Sequence, residues 1–411
     1  MGRPARTLAD HIRQATFRAR RHHQLLAGPD VPWPGFVRLQ ARYRAATSDP
    51  ERRAIAVECE RAARQARQHA DRHAGTASYP TLAQQLAGLG RPGSLKQLLG
   101  FFPTFLRHSN GPLHGQPFQL EPWQKTFLRE LHRRDRNGRR VYKHALLGLP
   151  NGNGKTTLAA GLALYELLTN TDNPEIYLTA ATRQHARIGL NYARAMIDDG
   201  PLNDWLTTTN TTISCPTHNG TIEAVSSHGA LQQGHTPTAV LVDDLATLIS
   251  SNQHATYTAF ATAIHKRPNG YLLATSSAGT TRDSLLGRIY TTALDCDDVT
   301  TARNGCLTIA KNTAAGTLLW WYAAPHDADP ENPTILRSCN PASWITTTTL
   351  QRRLKTPTHT EADVRVHHLN QWPATHTHQR TEPATDTPPR RTPEDLNELI
   401  GELNRRYQHA T

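Results

Sequence analysis

Short apolar runs rich in Val, Ile, Leu and Ala alternate along this chain with longer stretches in which apolar residues return every three or four positions. The runs at 143–149, 175–180, 239–242 and 271–275 are short and nearly continuous, as strands buried on both faces are. Helical patterns lie between them, the clearest being LAAGLALYELL from residue 158. Alternation of this kind over residues 117 to about 310 predicts an α/β fold, with a mostly parallel sheet flanked by helices.

The flanking segments read differently. Residues 1–75 form helices broken by the Pro-rich PDVPWP turn, and are expected to make a helical N-terminal arm. Residues 311–375, with Trp320 and Trp321, read as a smaller appendage of the sheet domain at 76–310. Residues 376–392 (HTHQRTEPATDTPPRRT) have no large apolar anchor and are expected to be a linker. A short C-terminal helix at 393–411 follows, with Thr392 and Asp395 matching a capping box and Leu396, Leu399, Ile400, Leu403 and Tyr407 on one face.

Charge adds a class of partner. The formal net charge is +12, and residues 1–75 alone hold 15 Arg against 7 acids, or +8. Such a balance favours polyanions, nucleic acid first, because Lys and Arg neutralise phosphates and release counterions. The five cysteines, Cys59, Cys215, Cys296, Cys306 and Cys339, show no CxxC pair. That argues against a disulfide framework and a zinc ribbon, and fits a reducing compartment. No apolar run approaches the roughly 18 residues that span a bilayer, so no membrane is expected.

The densest chemistry lies in LPNGNGKT, residues 149–156, between an apolar run and a helical pattern. A phosphate-binding loop needs that order, because backbone N–H groups of the turn and helix start face the anion. Asn151, Gly152, Asn153, Gly154 and Thr157 would surround the phosphates. Lys155 would reach the β- and γ-phosphates, and Thr156 would hold Mg²⁺. Leu149 stands where the usual first Gly belongs, and Gly152 and Gly154 supply the flexibility instead. Downstream, AVLVDD ends an apolar run in two acids: Asp243 would bind the metal and Asp244 would act on the attacking water. Upstream, the FQLEPWQ segment ends in Gln124, whose amide could read an adenine edge.

These segments, with EIYLTAATRQHA, LLATSSAG, NPTILRSCNPASWITTTTLQRR and VHHLNQW, resemble in order and spacing the ATPase half of phage terminase large subunits, over residues 117 to 372. The resemblance implies a P-loop ATPase that takes ATP and Mg²⁺ and drives double-stranded DNA into a procapsid in the host bacterial cytoplasm. It implies a homo-oligomeric ring working with a portal protein and a terminase small subunit. By the same resemblance Gln124 contacts adenine, Thr275 and Ser276 lie in the coupling motif, and Arg183 belongs to a segment that links nucleotide state to DNA.

Departures from the family pattern bear on activity. Asp244 stands where a longer Glu is usual, and a reacting water held about an ångström too far away costs a factor near 100 in rate, on the order of other such misplacements. The residues before the loop Lys are neutral, where the family often has a cation, and His185-Ala186 replaces a usual Gln-Ala pair. The 39 residues after Trp372 read as a linker and a helix, so nuclease activity is expected to be absent. The alternative is a catalytically weakened prophage remnant or split-gene fragment that binds nucleotide or DNA without packaging. His22-His23, His367-His368 and His376-Thr377-His378 lack HExxH spacing, and Ser226, Ser227, Ser276 and Ser277 lack a GxSxG context.

Overall fold

The computed structural model describes residues 34–48, 50–52, 54, 55, 58, 82–111, 113–198, 202, 205–226, 234–358 and 360–373. Most of the expected basic arm, and all of the expected linker and C-terminal helix, lie outside the described residues.

In chain order the elements are α1 (Pro34–Ala45), α2 (Leu82–Gly88), α3 (Leu95–Phe105), α4 (Pro122–Leu131), β1 (His144–Gly148), α5 (Lys155–Thr169), β2 (Glu175–Ala180) and α6 (Arg183–Asp198). Then come β3 (Thr207–Thr208), β4 (Thr212–Cys215), β5 (Gly220–Ser226), β6 (Ala239–Val242), α7 (Ser251–Ala263), β7 (Tyr271–Ser276) and α8 (Leu285–Leu294). The last are β8 (Val299–Ala302), β9 (Leu307–Asn312), β10 (Thr317–Tyr322), α9 (Pro333–Cys339), α10 (Thr347–Leu354) and α11 (Glu361–Leu369).

All ten strands form one sheet in the order β3-β4-β5-β2-β6-β7-β1-β10-β9-β8. The six central strands, β5 to β10 in that order, run parallel, and β4, β3, β9 and β8 extend the edges antiparallel. The α/β fold with a large, mostly parallel sheet is therefore as the hydrophobic pattern predicts. The four runs read as strands are β1, β2, β6 and β7, adjacent in the sheet.

Alternate side chains of these strands enter two cores. On one face Leu147, Leu178, Leu241 and Leu273 pack with α3, α4, α5 and α6. On the other Leu146, Tyr177, Val240 and Leu272 pack with Phe260 of α7 and Leu286 of α8. Burial on both faces explains why the runs are continuous rather than alternating.

The Trp320-Trp321 pair sits inside this sheet rather than beside it. β10 pairs parallel with β1, Trp320 opposite Leu147 and Trp321 opposite Gly148. Trp320 enters the first core, and Trp321 stacks on Trp372 in the second at 4.9 Å between ring centroids. A small third core, including Leu336, Ile345, Leu350 and Leu369, joins α9, α10 and α11.

Among the described residues no helix is long and apolar enough to cross a membrane.

Candidate nucleotide site

β1, β2, β6 and β7 end side by side, and residues at or just after the carboxyl ends of β1, β2 and β6 line an open cleft of about 930 Å³. Crevices of this kind, outside the carboxyl ends of parallel strands, are where α/β sheets bind ligands. Residues 149–154 leave β1 and turn directly into α5, whose first residue is Lys155. Gly152 and Gly154 adopt φ of +88° and +81°, conformations that cost a side-chain-bearing residue far more than glycine.

The loop is tied down from outside. Asn153, fully buried, donates from Nδ2 to Pro150 O at 3.1 Å and to Asn340 Oδ1 at 2.9 Å, and its Oδ1 accepts Ala342 N at 3.2 Å. Asn151 N donates to His367 O at 2.9 Å, and Trp344 Nε1 donates to Gly152 O at 2.9 Å.

Lys155 turns its ammonium back onto Leu149 O at 2.6 Å and Pro150 O at 3.3 Å. Desolvation pulls this group down to about 8, against the attraction of Asp244 and Asp243. Thr156 Oγ1 donates to Asp243 Oδ2 at 2.8 Å, and Thr275 Oγ1 donates to Asp243 Oδ1 at 2.8 Å. One carboxylate at the end of β6 therefore joins the start of α5 to the end of β7.

Asp244 follows at φ +52°, ψ 60°, before a 3-10 turn at Leu245–Thr247. Asp and Asn enter this left-handed region more readily than longer side chains. The backbone thus supplies a reason for Asp at this position. Burial raises its carboxyl above the ordinary value against the pull of Lys155, with Asp243 adding to the rise and His185 and His367 opposing it.

Ser276 closes the arrangement, accepting Ala246 N at 3.0 Å and donating to Ser277 O at 2.7 Å. The end of β7 is thereby fixed to the turn that carries Asp244. Two residues further, Ala278 N donates to Asn370 Oδ1 at 2.5 Å, and Asn370 Nδ2 donates to Tyr322 O at 2.6 Å.

At the cleft wall, Gln124 is the third residue of α4. Its Oε1 accepts Glu121 N at 2.9 Å in a capping box, while Nε2 is buried with no hydrogen-bond partner among the described residues. A buried donor without a partner costs about 1–3 kcal/mol, which a ligand acceptor would recover.

Of the residues singled out in the sequence, Gln124, Asn151, Gly152, Gly154, Lys155, Thr156, Thr157, Asp243 and Asp244 line the one cleft. Asn153, Thr275 and Ser276 stand behind them, buried. Arg183 does not reach the cleft: it is exposed at the start of α6, whereas His185, Ile188 and Tyr192 of that helix line it. The tying residues Asn340, Trp344, His367 and Asn370 lie in segments whose spelling was noticed but whose contacts no spacing rule reveals.

Residues 122–294 match the family model for the ATPase domain of the terminase large subunit. The large subunit of terminase from Enterobacteria phage HK97 is 26% identical over 253 residues, covering 60% of this chain and 46% of that protein. The crystal structure of the HK97 bacteriophage large terminase aligns with a TM-score of 0.54 and 22% identity, over 68% of this chain and 55% of that one. The chain thus spans about half the length of the relatives it matches, and the structural likeness is one of fold.

Proposed function

We propose that this chain carries the ATPase portion of a phage terminase large subunit, as its match to that family model supports, and that it hydrolyses ATP in the cleft between the phosphate loop and Gln124 and uses the energy to translocate double-stranded viral DNA. The observation that carries the reading is the meeting of Thr156, Asp243 and Thr275 at one carboxylate beside Lys155.

The donor set there is all oxygen, which suits a hard cation such as Mg²⁺. Thr156 and Asp243 would hold it, and when bound it would offset charge on the terminal phosphates. Lys155 would exchange the carbonyls of Leu149 and Pro150 for the β- and γ-phosphates. The backbone N–H groups of Asn151 to Thr157, at a helix N-terminus, would receive the phosphate oxygens. Gln124 Nε2 would donate to the purine edge.

Asp244 would orient the attacking water and take its proton as the water oxygen bonds to the γ-phosphorus and the bond to the β,γ-bridging oxygen breaks, releasing ADP. A carboxyl raised by burial is a better proton acceptor than an ordinary one. Loss of the γ-phosphate would be sensed by Thr275 and Ser276, because one binds Asp243 and the other holds the turn after Asp244. Arg183, exposed on α6, would transmit the change toward DNA.

The family resemblance would place this activity in a packaging setting: a homo-oligomeric ring, working with a portal protein and a terminase small subunit in the host cytoplasm. The deciding experiment is ATP hydrolysis by the purified chain with Mg²⁺, with and without duplex DNA. Turnover stimulated by DNA and lost in Lys155→Ala is expected. If Lys155→Ala hydrolyses ATP as fast as the parent, the assignment of the cleft is wrong.

A further inference from the structure

Five large apolar side chains are exposed among the described residues, and three of them, Leu113, Ile188 and Trp344, line the same cleft. Apolar surface left open to water and gathered in one concavity marks a ligand contact.

Of the three, Trp344 is the one built into place. Its Nε1 donates to Gly152 O at 2.9 Å, and its ring edge covers Gly154, where an added Cβ would stand 3.0 Å from Cζ2 and 3.3 Å from Cη2. The residue before it, Ser343, donates from its hydroxyl to Glu121 at 2.6 Å, and Glu121 is the N-cap of the helix that carries Gln124. Two residues before it, Ala342 N donates to Asn153 in the phosphate loop. The ring is therefore held by a segment that binds both the phosphate loop and the N-cap of the helix carrying Gln124, whose Nε2 has no hydrogen-bond partner among the described residues. Its polar atom is satisfied by the protein, while 41% of the residue stays exposed at the cleft.

A molecule that put phosphates on the loop and a hydrogen-bond acceptor against Gln124 Nε2 would lie in the cleft that this ring lines. Resting on the reading that the cleft binds a nucleoside triphosphate, we propose that Trp344 is a nucleotide-contacting residue whose ring packs against the purine nucleoside. The contact distinguishes a nucleotide from a bare polyphosphate. It also makes residues 340–345 part of the site, because Asn340 and Ala342 bind Asn153, the loop residue between Gly152 and Gly154 that the ring contacts.

The test compares equilibrium binding of ADP and of inorganic tripolyphosphate, each with Mg²⁺, by the full chain and by its Trp344→Ala, Trp344→Phe and Lys155→Ala variants. Stacking predicts that Trp344→Ala weakens ADP about tenfold or more, leaves tripolyphosphate within about twofold, and is largely rescued by Phe. Lys155→Ala should weaken both ligands. Equal loss of ADP and tripolyphosphate in Trp344→Ala would mean that the ring only props the loop, and would overturn the proposal. So would unchanged ADP binding. A parent chain that binds tripolyphosphate but not ADP removes the Trp344 assignment alone, and one that binds neither removes the reading of the cleft as well.

Discussion

The side-chain amide of Asn153 donates to Oδ1 of Asn340 at 2.9 Å, with both residues fully buried. Asn340 spends its own amide protons on Leu336 O at 3.0 Å and His368 O at 2.9 Å. The loop that faces the phosphates is therefore held, through two asparagines, by α9 and α11. Its shape depends on chain that folds on the far side of the sequence.

Replacing Asn153 by Ala would orphan Asn340 Oδ1 and Ala342 N in a buried setting. An expected loss of about 1–3 kcal/mol follows from leaving such groups unsatisfied. A fall in urea midpoint without a change in slope would register it. Asn151→Ala is the control, since that side chain is exposed and should stay within about 0.5 kcal/mol of the parent.

Gly148 ends β1 against the Trp321 ring: an added Cβ would lie 2.0 to 2.4 Å from three of its carbons. The ring is backed by Trp372, stacked on it at an interplanar angle of 7°, and by Tyr290 at 5.1 Å between centroids. Gly148→Ala should cost about 1–3 kcal/mol or more by overpacking. Thermal unfolding against the parent measures it, and an unchanged midpoint would mean that the sheet relaxes there freely.

Asp244→Asn keeps a side chain that tolerates the left-handed backbone and removes only the charge. ATP turnover should fall about 100-fold or more, the lower range for losing a general base. ADP binding, read by titration calorimetry, should be retained. A variant that keeps its turnover would exclude Asp244 from acting on the water.

His132 is buried, with Nε2 2.7 Å from Gly93 O, and burial together with Arg140 and Arg134 lowers it to about 3. In the unfolded chain it titrates near the ordinary 6.5, so between these values the unfolded state binds more protons. Stability from this group is therefore present above the unfolded value and is lost as the pH falls through that window, by up to about 1.4 kcal/mol per pH unit. His132→Gln, whose amide can still donate to Gly93 O, should flatten the acid limb of unfolding midpoint against pH.

How far the chain could be read follows from which contacts are local. The strands β1, β2, β6 and β7 were legible because burial on both faces leaves an uninterrupted apolar run. The phosphate loop was legible because strand, glycines, Lys155 and helix follow one another within residues 144–169. β10 was read as lying outside the sheet, although its TLLWWY run is as apolar as the others. It pairs with β1 across some 170 residues, and parallel pairing at such separation leaves no turn signal to announce it. Nor could residue spacing disclose that Arg183 points to solvent while His185, two residues on, lines the cleft.

By itself the sequence determined the fold class and which side chains could do phosphate chemistry, because both are written in local patterns: strand period, helix period, and glycines where the backbone needs positive φ. The tertiary structure alone decided the rest of the site. It put one carboxylate of Asp243 between Thr156 and Thr275, set Asp244 on the cleft within reach of the Lys155 charge, and tied Asn153 to Asn340 while Trp344 donates to Gly152 O. The physical reason is that each of these contacts joins segments far apart in the chain. Their meeting, and the low-dielectric surroundings that strengthen it, exist only once both faces of the sheet are packed.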